Sequence, residues 1–337
     1  MRQPQGKSKL TGLFTVLLVS LVVVLTFRNH IQEILRNILS VSAIGFLALL
    51  ILGGLYQLLD AVICLRFVRT RLSRFSFRQA LDVVLIGVFG NVATLAAGSI
   101  PMQSYYLYRK GMDAGASFGI LTLEYAAQKL SLLLYATFML VLKGRWLAES
   151  QDKLLKYILS GYAVCTLITS VLILFCTWDK IRHLLNLLTA LLPDNEKWVK
   201  RKEIWQGNLV SLYSESQFLL QNRAVCISAL AVNFLKYFCL FSIPVLAFRC
   251  LGIAALSFGQ TQLLSSLAVL IANAIPNIAG MGPTEFAFLL IFSSYVPQSQ
   301  AMSALVLYRT ATYFFPFLMS SAAVLYLQRS GKQRKQS

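Results

Sequence analysis

The sequence has little charge: Asp, Glu, Lys and Arg make up 13% of its 337 residues, whereas soluble domains usually carry about 25%. Apolar residues make up 57% of the chain. They come in runs of about 18 to 28 residues, long enough to cross a hydrocarbon core of ~30 Å. This composition predicts an all-α polytopic membrane protein, with one integral membrane domain over residues 1–337 and no independent soluble domain.

Histidine, paired cysteine and phosphate-binding motifs are also scarce or missing. Only His30 and His183 occur, and none of the six cysteines forms a CxxC pair, so we expect neither a metal site nor a cofactor. No GxxxxGK[ST] motif is present, so active transport would draw on a gradient or on another protein. No nucleophile has a suitably spaced base, so we expect no enzyme, with a lipid headgroup transferase as the less favoured alternative.

Acidic residues are few, 13 against 31 basic ones, and the net charge is +18. The basic residues concentrate in the N-terminal tail, the loop 66–78, the segment 178–223 and the C-terminal tail 329–337. By the positive-inside rule, all four are expected to be cytoplasmic in a multi-pass protein of the plasma (inner) membrane. Because the charges lie in short loops, anionic lipid is an expected partner and nucleic acid is not.

Apolar runs predict nine helices, at 10–27, 38–65, 79–97, 117–142, 157–177, 224–248, 259–275, 284–296 and 300–327. The first run is long and lacks an A-x-A-like site, so we expect a retained anchor and not a cleaved signal peptide. Leucines at helical spacing predict that 178–223 is an amphipathic segment at the interface. It would separate a first helical half, 1–177, from a second, 224–328.

Charge parity indicates that one apolar segment does not cross. The loops 66–78 and 178–223 need an even number of crossings between them, yet three predicted helices lie there. The stretch GNVATLAAGSIP, which ends at Pro101, interrupts the segment 79–110. We therefore expect 79–110 to enter the membrane, break and return, which is tolerated where protein or a wet cavity shields the backbone.

A second stretch, NAIPNIAGMGPTEF at 273–286, has a similar composition. It lies within 259–296, which forms either two short spans or one broken hairpin. Interrupted segments in two halves point to a weak internal repeat around a transporter's central site. With seven to nine hydrophobic segments in all, the candidate break residues are Pro101, Gly111, Pro276, Gly280, Gly282 and Pro283.

Seven charged residues lie inside the predicted helices: Asp60, Asp82, Glu124, Lys129, Lys236, Glu285 and Arg309. A charge at the bilayer centre costs at least ~2.5–3.5 kcal/mol, so each needs a partner, a wet cavity or an interfacial position. Asp60 and Asp82 flank the arginine-rich loop, and we predict that they pair with Arg66 and Arg78 at the interface.

The other buried charges leave two interpretations open. Glu124 and Lys129 are about 140° apart on their helix, so each is expected to find its partner on another helix. The charges form either structural pairs that set helix register or a polar path for a charged headgroup.

Two motifs resemble the signatures of a known family. Residues 100–130, IPMQSYYLYRKGMDAGASFGILTLEYAAQKL, and residues 275–292, IPNIAGMGPTEFAFLLIF, are similar to those of the lysylphosphatidylglycerol synthase transmembrane region, a flippase-like integral membrane family. The resemblance covers roughly residues 40–327. The matching positions are Pro101, Arg109, Gly111 and Glu124 in the first motif and Pro276, Gly280, Gly282 and Glu285 in the second.

The resemblance implies movement of lipids between leaflets. The cargo would be an anionic or aminoacylated phospholipid or a polyprenyl-linked lipid. Bases would attract the phosphate, and acids would hold an amine or carry protons; the candidates are Glu285, Glu124, Arg109, Lys236 and Arg309. Only the membrane half is expected, because residues 329–337 leave no room for the family's soluble lysyl-transferase domain. The alternative is an accessory subunit of a lipid-modifying or glycosyl-transferring membrane enzyme, docked through 178–223.

Overall fold

The computed structural model describes residues 31–94, 98–150, 152–177, 213–275 and 282–333, with the single positions 207 and 210. These residues form helices and no strand, which confirms the predicted all-α fold. Four helices within these ranges are long and apolar enough to cross a membrane. The predicted helix 10–27 and most of the interfacial segment 178–223 lie outside the described residues.

We label eleven α-helices in chain order. They are α1 (Ile31–Leu39), α2 (Ala43–Val68), α3 (Phe77–Ala93), α4 (Ser99–Arg109), α5 (Ala114–Ser150), α6 (Asp152–Thr177), α7 (Arg223–Cys250), α8 (Phe258–Ala274), α9 (Pro283–Phe292), α10 (Gln298–Arg309) and α11 (Phe315–Gln333), with a π-helical turn, Thr310–Phe314, before α11. Residues 213–221 form a further helical segment before α7.

Two of the predicted helices are interrupted. The run 38–65 contains the junction of α1 and α2, where Ser42 caps α2 by accepting a hydrogen bond from the Gly45 N–H at 3.1 Å. The run 300–327 contains the π-turn, because Pro316 has no N–H to donate to the carbonyl four residues earlier. Because both runs are apolar throughout, hydropathy alone did not predict the α1–α2 junction or the π-turn.

The segment that follows the arginine-rich loop is a hairpin, as charge parity predicts. Gln103 donates a hydrogen bond to the Val83 carbonyl at 3.1 Å, and Tyr106 donates one to Asp82 at 2.8 Å. The residue number falls along α3 as it rises along α4, so the two helices are antiparallel. We name α3 and α4 the first hairpin.

α8 and α9 form a second hairpin, which decides between the two interpretations of 259–296. α3 and α8 both have 17 residues, and both begin with a Ser–Gln capping box, at Ser76–Gln79 and Ser257–Gln260. α9 has ten residues, about 15 Å, and is too short to cross a core of ~30 Å. It packs back against α8.

Contacts between loops assign the helix ends to two sides. Arg71, after α2, donates two hydrogen bonds to Glu215 at 2.9 and 3.0 Å. Both residues line a cavity together with Asp113, at the start of α5. Arg78 lies 5.8 Å from the Tyr326 ring, so α11 also ends here. We name this the arginine side; that it is cytoplasmic stays a prediction from the charge distribution.

The second hairpin opens on the opposite side. Tyr295, after α9, has its hydroxyl 3.0 Å from Ser150 at the end of α5, and its ring lies 5.4 Å from the ring of Trp146. Cys250, at the end of α7, lies against Gly45 at the start of α2. α2 and α7 therefore run antiparallel, and they pack along each other.

These placements define two halves of inverted topology. In the first half α2, the first hairpin and α5 follow one another, with the hairpin opening on the arginine side. In the second half α7, the second hairpin and α10–α11 repeat this order from the opposite side. Each hairpin also packs against the other half, α3 against α11 and α8 against α5 and α6. Inverted repeats with interrupted helices are typical of membrane transporters.

α2 approaches the π-turn closely at Gly53. A Cβ atom at Gly53 would overlap the backbone carbonyl of Ala311, whereas one at Gly54 would meet only the Phe315 ring, at 3.9 Å. Small residues permit such close contact between membrane helices. Gly53 therefore sets the distance between the two halves at this point.

We predict that Gly53→Ala lowers the free energy of unfolding by about 1–3 kcal/mol, because the backbone of the π-turn must move to admit the methyl group. The matched variant Gly54→Ala should change it by about 1 kcal/mol at most, since its methyl group makes an ordinary contact. SDS titration of the purified proteins in detergent micelles measures both values. Equal effects of the two substitutions would contradict this account.

Candidate functional site

A buried ion pair joins the two halves at α2 and α7. Lys236 lies at the middle of α7, and its side chain is 0% exposed. Its Nζ donates a hydrogen bond to Asp60 Oδ1 at 2.8 Å, across 176 residues of sequence. The Asp60 side chain is 19% exposed. Because an unpaired buried ammonium is costly by several kcal/mol, this contact constrains how α2 meets α7.

Polar and aromatic groups surround the ion pair. Gln128, on α5, donates a second hydrogen bond to Asp60 Oδ1 at 3.0 Å, and Tyr237 donates one to the Gln128 carbonyl at 3.0 Å. The rings of Tyr56 and Tyr237 lie 5.2 and 5.4 Å from Lys236 Nζ, within cation–π range. Three helices, α2, α5 and α7, are thus held together by one polar cluster.

Glu124, one turn before Gln128 on α5, lies beside this cluster. It is 7% exposed, and its Oε2 accepts no hydrogen bond from the described residues. The Cys64 thiol of α2 lies next to the same carboxyl group. Most buried polar atoms have a hydrogen-bond partner, so Glu124 Oε2 is available to accept a hydrogen bond from a bound group.

Glu124 and Asp60 both line a cavity of about 210 Å³ that the first hairpin covers. Its other polar wall residues are Asn91, Ser99, Gln103, Tyr125 and Gln128. Among the described residues that line it there is no Lys or Arg. Because Lys236 balances Asp60, a carboxylate at Glu124 would give the cavity a net negative charge, which would suit a cationic group. Within the described ranges, no three His, Cys, Asp or Glu side chains converge as metal ligands.

The second hairpin carries a different charged pair. Glu285 Oε2 accepts a hydrogen bond at 2.6 Å from the N–H of Gly282, which has a φ of +97° at the start of α9. Glu285 Oε1 accepts one from Arg309 Nε at 2.6 Å, just before the π-turn. The Arg309 guanidinium also lies 5.2 Å from the Tyr313 ring. Both oxygens of Glu285 are therefore engaged, unlike those of Glu124.

One face of α2 connects the two charged sites. Gly53, Tyr56 and Asp60 recur at helical spacing and share that face. Gly53 contacts the π-turn next to Arg309, and Asp60 contacts Lys236. Seven residues at 1.5 Å rise separate these points, so the sites lie about 10 Å apart along the helix.

The predicted path residues do not form one cluster. Glu124 and Lys236 lie at the first site, and Glu285 and Arg309 at the second. Arg109 lies at neither, because the first hairpin turns back and leaves it exposed at the end of α4 on the arginine side. Lys129 has its partner on another helix, as expected: its Nζ donates to Asn273 of α8 at 2.7 Å.

The predicted break residues also differ in their roles. Pro101 lies in the first turn of α4 and not at the break, a position where proline's missing N–H costs no helix bond. Gly111, with a φ of +97°, forms the turn between α4 and α5. Gly282 and Pro283 begin α9, where proline suits the first helical position. Outside the described residues lie Pro276 and Gly280.

The predicted interfacial pairs of the two aspartates are wrong. Asp60 binds Lys236, and Asp82 accepts a hydrogen bond from Tyr106 at 2.8 Å, in place of the loop arginines. Asp60 lies eight residues before the end of α2, about 12 Å from the loop, and faces α7. Nearness in sequence to the basic loop therefore did not predict the partner of Asp60. The buried Lys236 has no acidic residue in its own helix, so its counter-ion comes from another helix.

Sequence reasoning also missed Gln128 and Tyr56. Both side chains are uncharged, so they are not among the charged residues of the predicted helices. The one available signal is the spacing of Gln128, four residues after Glu124, which places the two on the same face of α5.

The fold and the buried charges define a polytopic integral membrane protein with two halves of inverted topology. The family model for the lysylphosphatidylglycerol synthase TM region matches residues 9–320. The chain therefore belongs to this family, as the resemblance of its two motifs predicts. A search of curated proteins found no match.

We predict that Asp60→Asn lowers the free energy of unfolding by about 3–5 kcal/mol, because it leaves the Lys236 charge buried without a counter-ion. The double variant Asp60→Asn/Lys236→Met should recover most of this loss, since it removes both charges. Glu149→Gln, in the exposed Arg145–Glu149 pair, should have little effect. A double-mutant cycle from SDS unfolding measures the coupling, and additive effects of the two substitutions would contradict the pairing.

Proposed function

We propose that this protein moves a phospholipid or a lipid-linked headgroup between the two leaflets of the membrane and is not an enzyme. Glu124 carries this proposal: it is a buried carboxylate with an open oxygen, and it lines a cavity between the hairpin and the central ion pair. Membership in a membrane family described by a phospholipid supports a lipid as the cargo.

The chemistry of the cavity favours a headgroup that carries an amine. An ammonium group can pair with the Glu124 carboxylate, because Lys236 already neutralises Asp60. The amide and hydroxyl groups of Asn91, Ser99 and Gln103 are suited to ester and glycerol oxygens. An aminoacylated phospholipid has both kinds of group, so we favour it over a simple anionic lipid or a polyprenyl-linked one.

The inverted hairpins support a polar route through the membrane. Interrupted helices are tolerated at membrane depth where they line a cavity, and their open backbone groups bind polar cargo. A headgroup that follows such a route avoids the hydrocarbon, where each charge costs at least ~2.5–3.5 kcal/mol. The Glu285–Arg309 pair, with both carboxylate oxygens engaged, holds the second hairpin in position beside this route.

An accessory role beside a membrane enzyme is the second candidate. The Arg71–Glu215 contact attaches the helical segment 213–221 to the arginine side, next to a cavity of about 430 Å³. A partner domain docked on the arginine side can contact both the helical segment 213–221 and this cavity. Co-purification with a stoichiometric lipid-modifying or glycosyl-transferring enzyme, without lipid transfer by the isolated chain, would favour this role.

Reconstitution into liposomes tests the transport proposal. Fluorescent phosphatidylglycerol, its aminoacylated form and a polyprenyl-linked lipid are supplied, and their exposure to an external quencher reports transfer. Glu124→Gln should slow transfer of the aminoacylated lipid about tenfold or more, because the amide keeps the size but loses the charge. Glu124 Oε2 accepts no hydrogen bond from the described residues, so the substitution breaks none there, and the new amide can face the cavity; the protein should therefore still fold.

Glu149→Gln is the matched control, because it makes the same substitution at an exposed carboxylate. Glu285→Ala and Arg309→Ala extend the test to the second hairpin. Normal transfer by a folded Glu124→Gln variant would exclude Glu124 from the route. Failure of the wild-type chain to transfer any of the three lipids would refute the transport proposal itself.

A further inference from the structure

A groove lies on another face of the first hairpin, apart from the cavity of Glu124. It has a volume of about 360 Å³ and lies between the hairpin and α11. Its wall is mainly apolar and includes Ile86, Pro101, Met102, Tyr105, Val324 and Leu327. The cavity of Glu124 instead receives Ser99 and Gln103 from α4, so the two spaces lie on different faces of that helix.

Arg109 provides a positive charge at the edge of this groove. It is exposed in the last turn of α4, and within the described part of the chain it has no ion-pair or hydrogen-bond partner for its guanidinium. Arg78 lies nearby, over the ring of Tyr326. Among the described residues near this end of the groove, the carboxylate of Asp82 accepts a hydrogen bond from Tyr106. Positive charge is therefore in excess at this end of the groove.

Exposed tyrosines mark the level of Arg109 in the membrane. Tyr105 and Tyr108 of α4 are 64% and 58% exposed, and Tyr326 of α11 is 58% exposed. Exposed tyrosines beside arginines are typical of the membrane–water interface. Pro101 lies eight residues before Arg109, about 12 Å deeper. That depth is close to the ~15 Å of hydrocarbon in one leaflet, half of a ~30 Å core.

We propose that this groove is a lipid-binding site, which holds one acyl chain of an anionic phospholipid with Arg109 bound to the lipid phosphate. Bonds from guanidinium to phosphate are charge-assisted and often bidentate. Anionic headgroups also collect at basic membrane surfaces. The occupant is a resident lipid of the leaflet on the arginine side, and its binding does not require transport through the cavity of Glu124.

Native mass spectrometry tests the site directly. Purified protein is titrated with phosphatidylglycerol or with phosphatidylcholine of the same acyl chains, and wild type should retain more phosphatidylglycerol. Arg109→Gln should lower phosphatidylglycerol occupancy about tenfold, because it removes the charge-assisted bonds. Leu327→Trp should lower the occupancy of both lipids, because the larger side chain fills the groove.

Arg249→Gln is the matched control, since Arg249 is also exposed in the last turn of a helix but lies on the opposite side. It should leave phosphatidylglycerol occupancy unchanged. Equal retention of the two lipids by wild type, or unchanged phosphatidylglycerol occupancy in both Arg109→Gln and Leu327→Trp, overturns the proposal. If Arg109→Gln does not fold, Leu327→Trp decides the matter alone. Because this readout does not involve transfer between leaflets, its failure leaves the proposed transport function standing.

Discussion

The ion pair between Asp60 and Lys236 is the contact on which the arrangement of the two halves depends. Lys236 lies midway along a helix long enough to span the membrane, where an unpaired charge costs at least ~2.5–3.5 kcal/mol. Its counter-ion comes from the antiparallel helix α2, so the first helix of one half is tied to the first helix of the other. A shift of one helical turn, about 5.4 Å, would separate the two charges. The pair therefore selects one register among the many that apolar helices allow.

That register positions the rest of the polar interior. The same face of α2 brings Gly53 against the π-turn and presents Asp60 to Gln128 of α5. Glu124 lies one turn before Gln128 on α5. The hydrogen bond from Gln128 to Asp60 therefore also fixes the position of the Glu124 carboxylate beside the cavity. Replacing a buried ion pair by apolar residues is often neutral or stabilising, so we interpret this pair as a source of specificity more than of stability.

Local signals predicted the first hairpin, but they did not predict how the buried charges pair. Backbone breakers and an odd number of apolar runs between two basic loops were enough to expect a returning segment. The stretches SFRQ at 76–79 and SFGQ at 257–260 form the two capping boxes and could have strengthened the repeat. The partner of Lys236 could not be predicted, because hydropathy does not show which helix faces meet, and the two residues are 176 positions apart. Arg109 was assigned to the path from its place in a motif, although the hairpin turns it to the surface.

The two halves share a topology but differ in chemistry, and the difference assigns them different roles. Glu285 is the only charged residue in the second hairpin sequence, 258–292, and both its oxygens are engaged by Gly282 and Arg309. The inner part of the first hairpin, 84–104, contains no charged residue, so the charge of its cavity comes from α2 and α5. A carboxylate with both oxygens engaged can hold a hairpin in place, but it loses a protein partner if it binds a ligand. No described residue donates a hydrogen bond to Glu124 Oε2, so a ligand bound there displaces no protein partner within this part of the chain. The polar interior is therefore asymmetric: the first hairpin covers the proposed binding position at Glu124, and the Glu285–Arg309 pair holds the second hairpin in place.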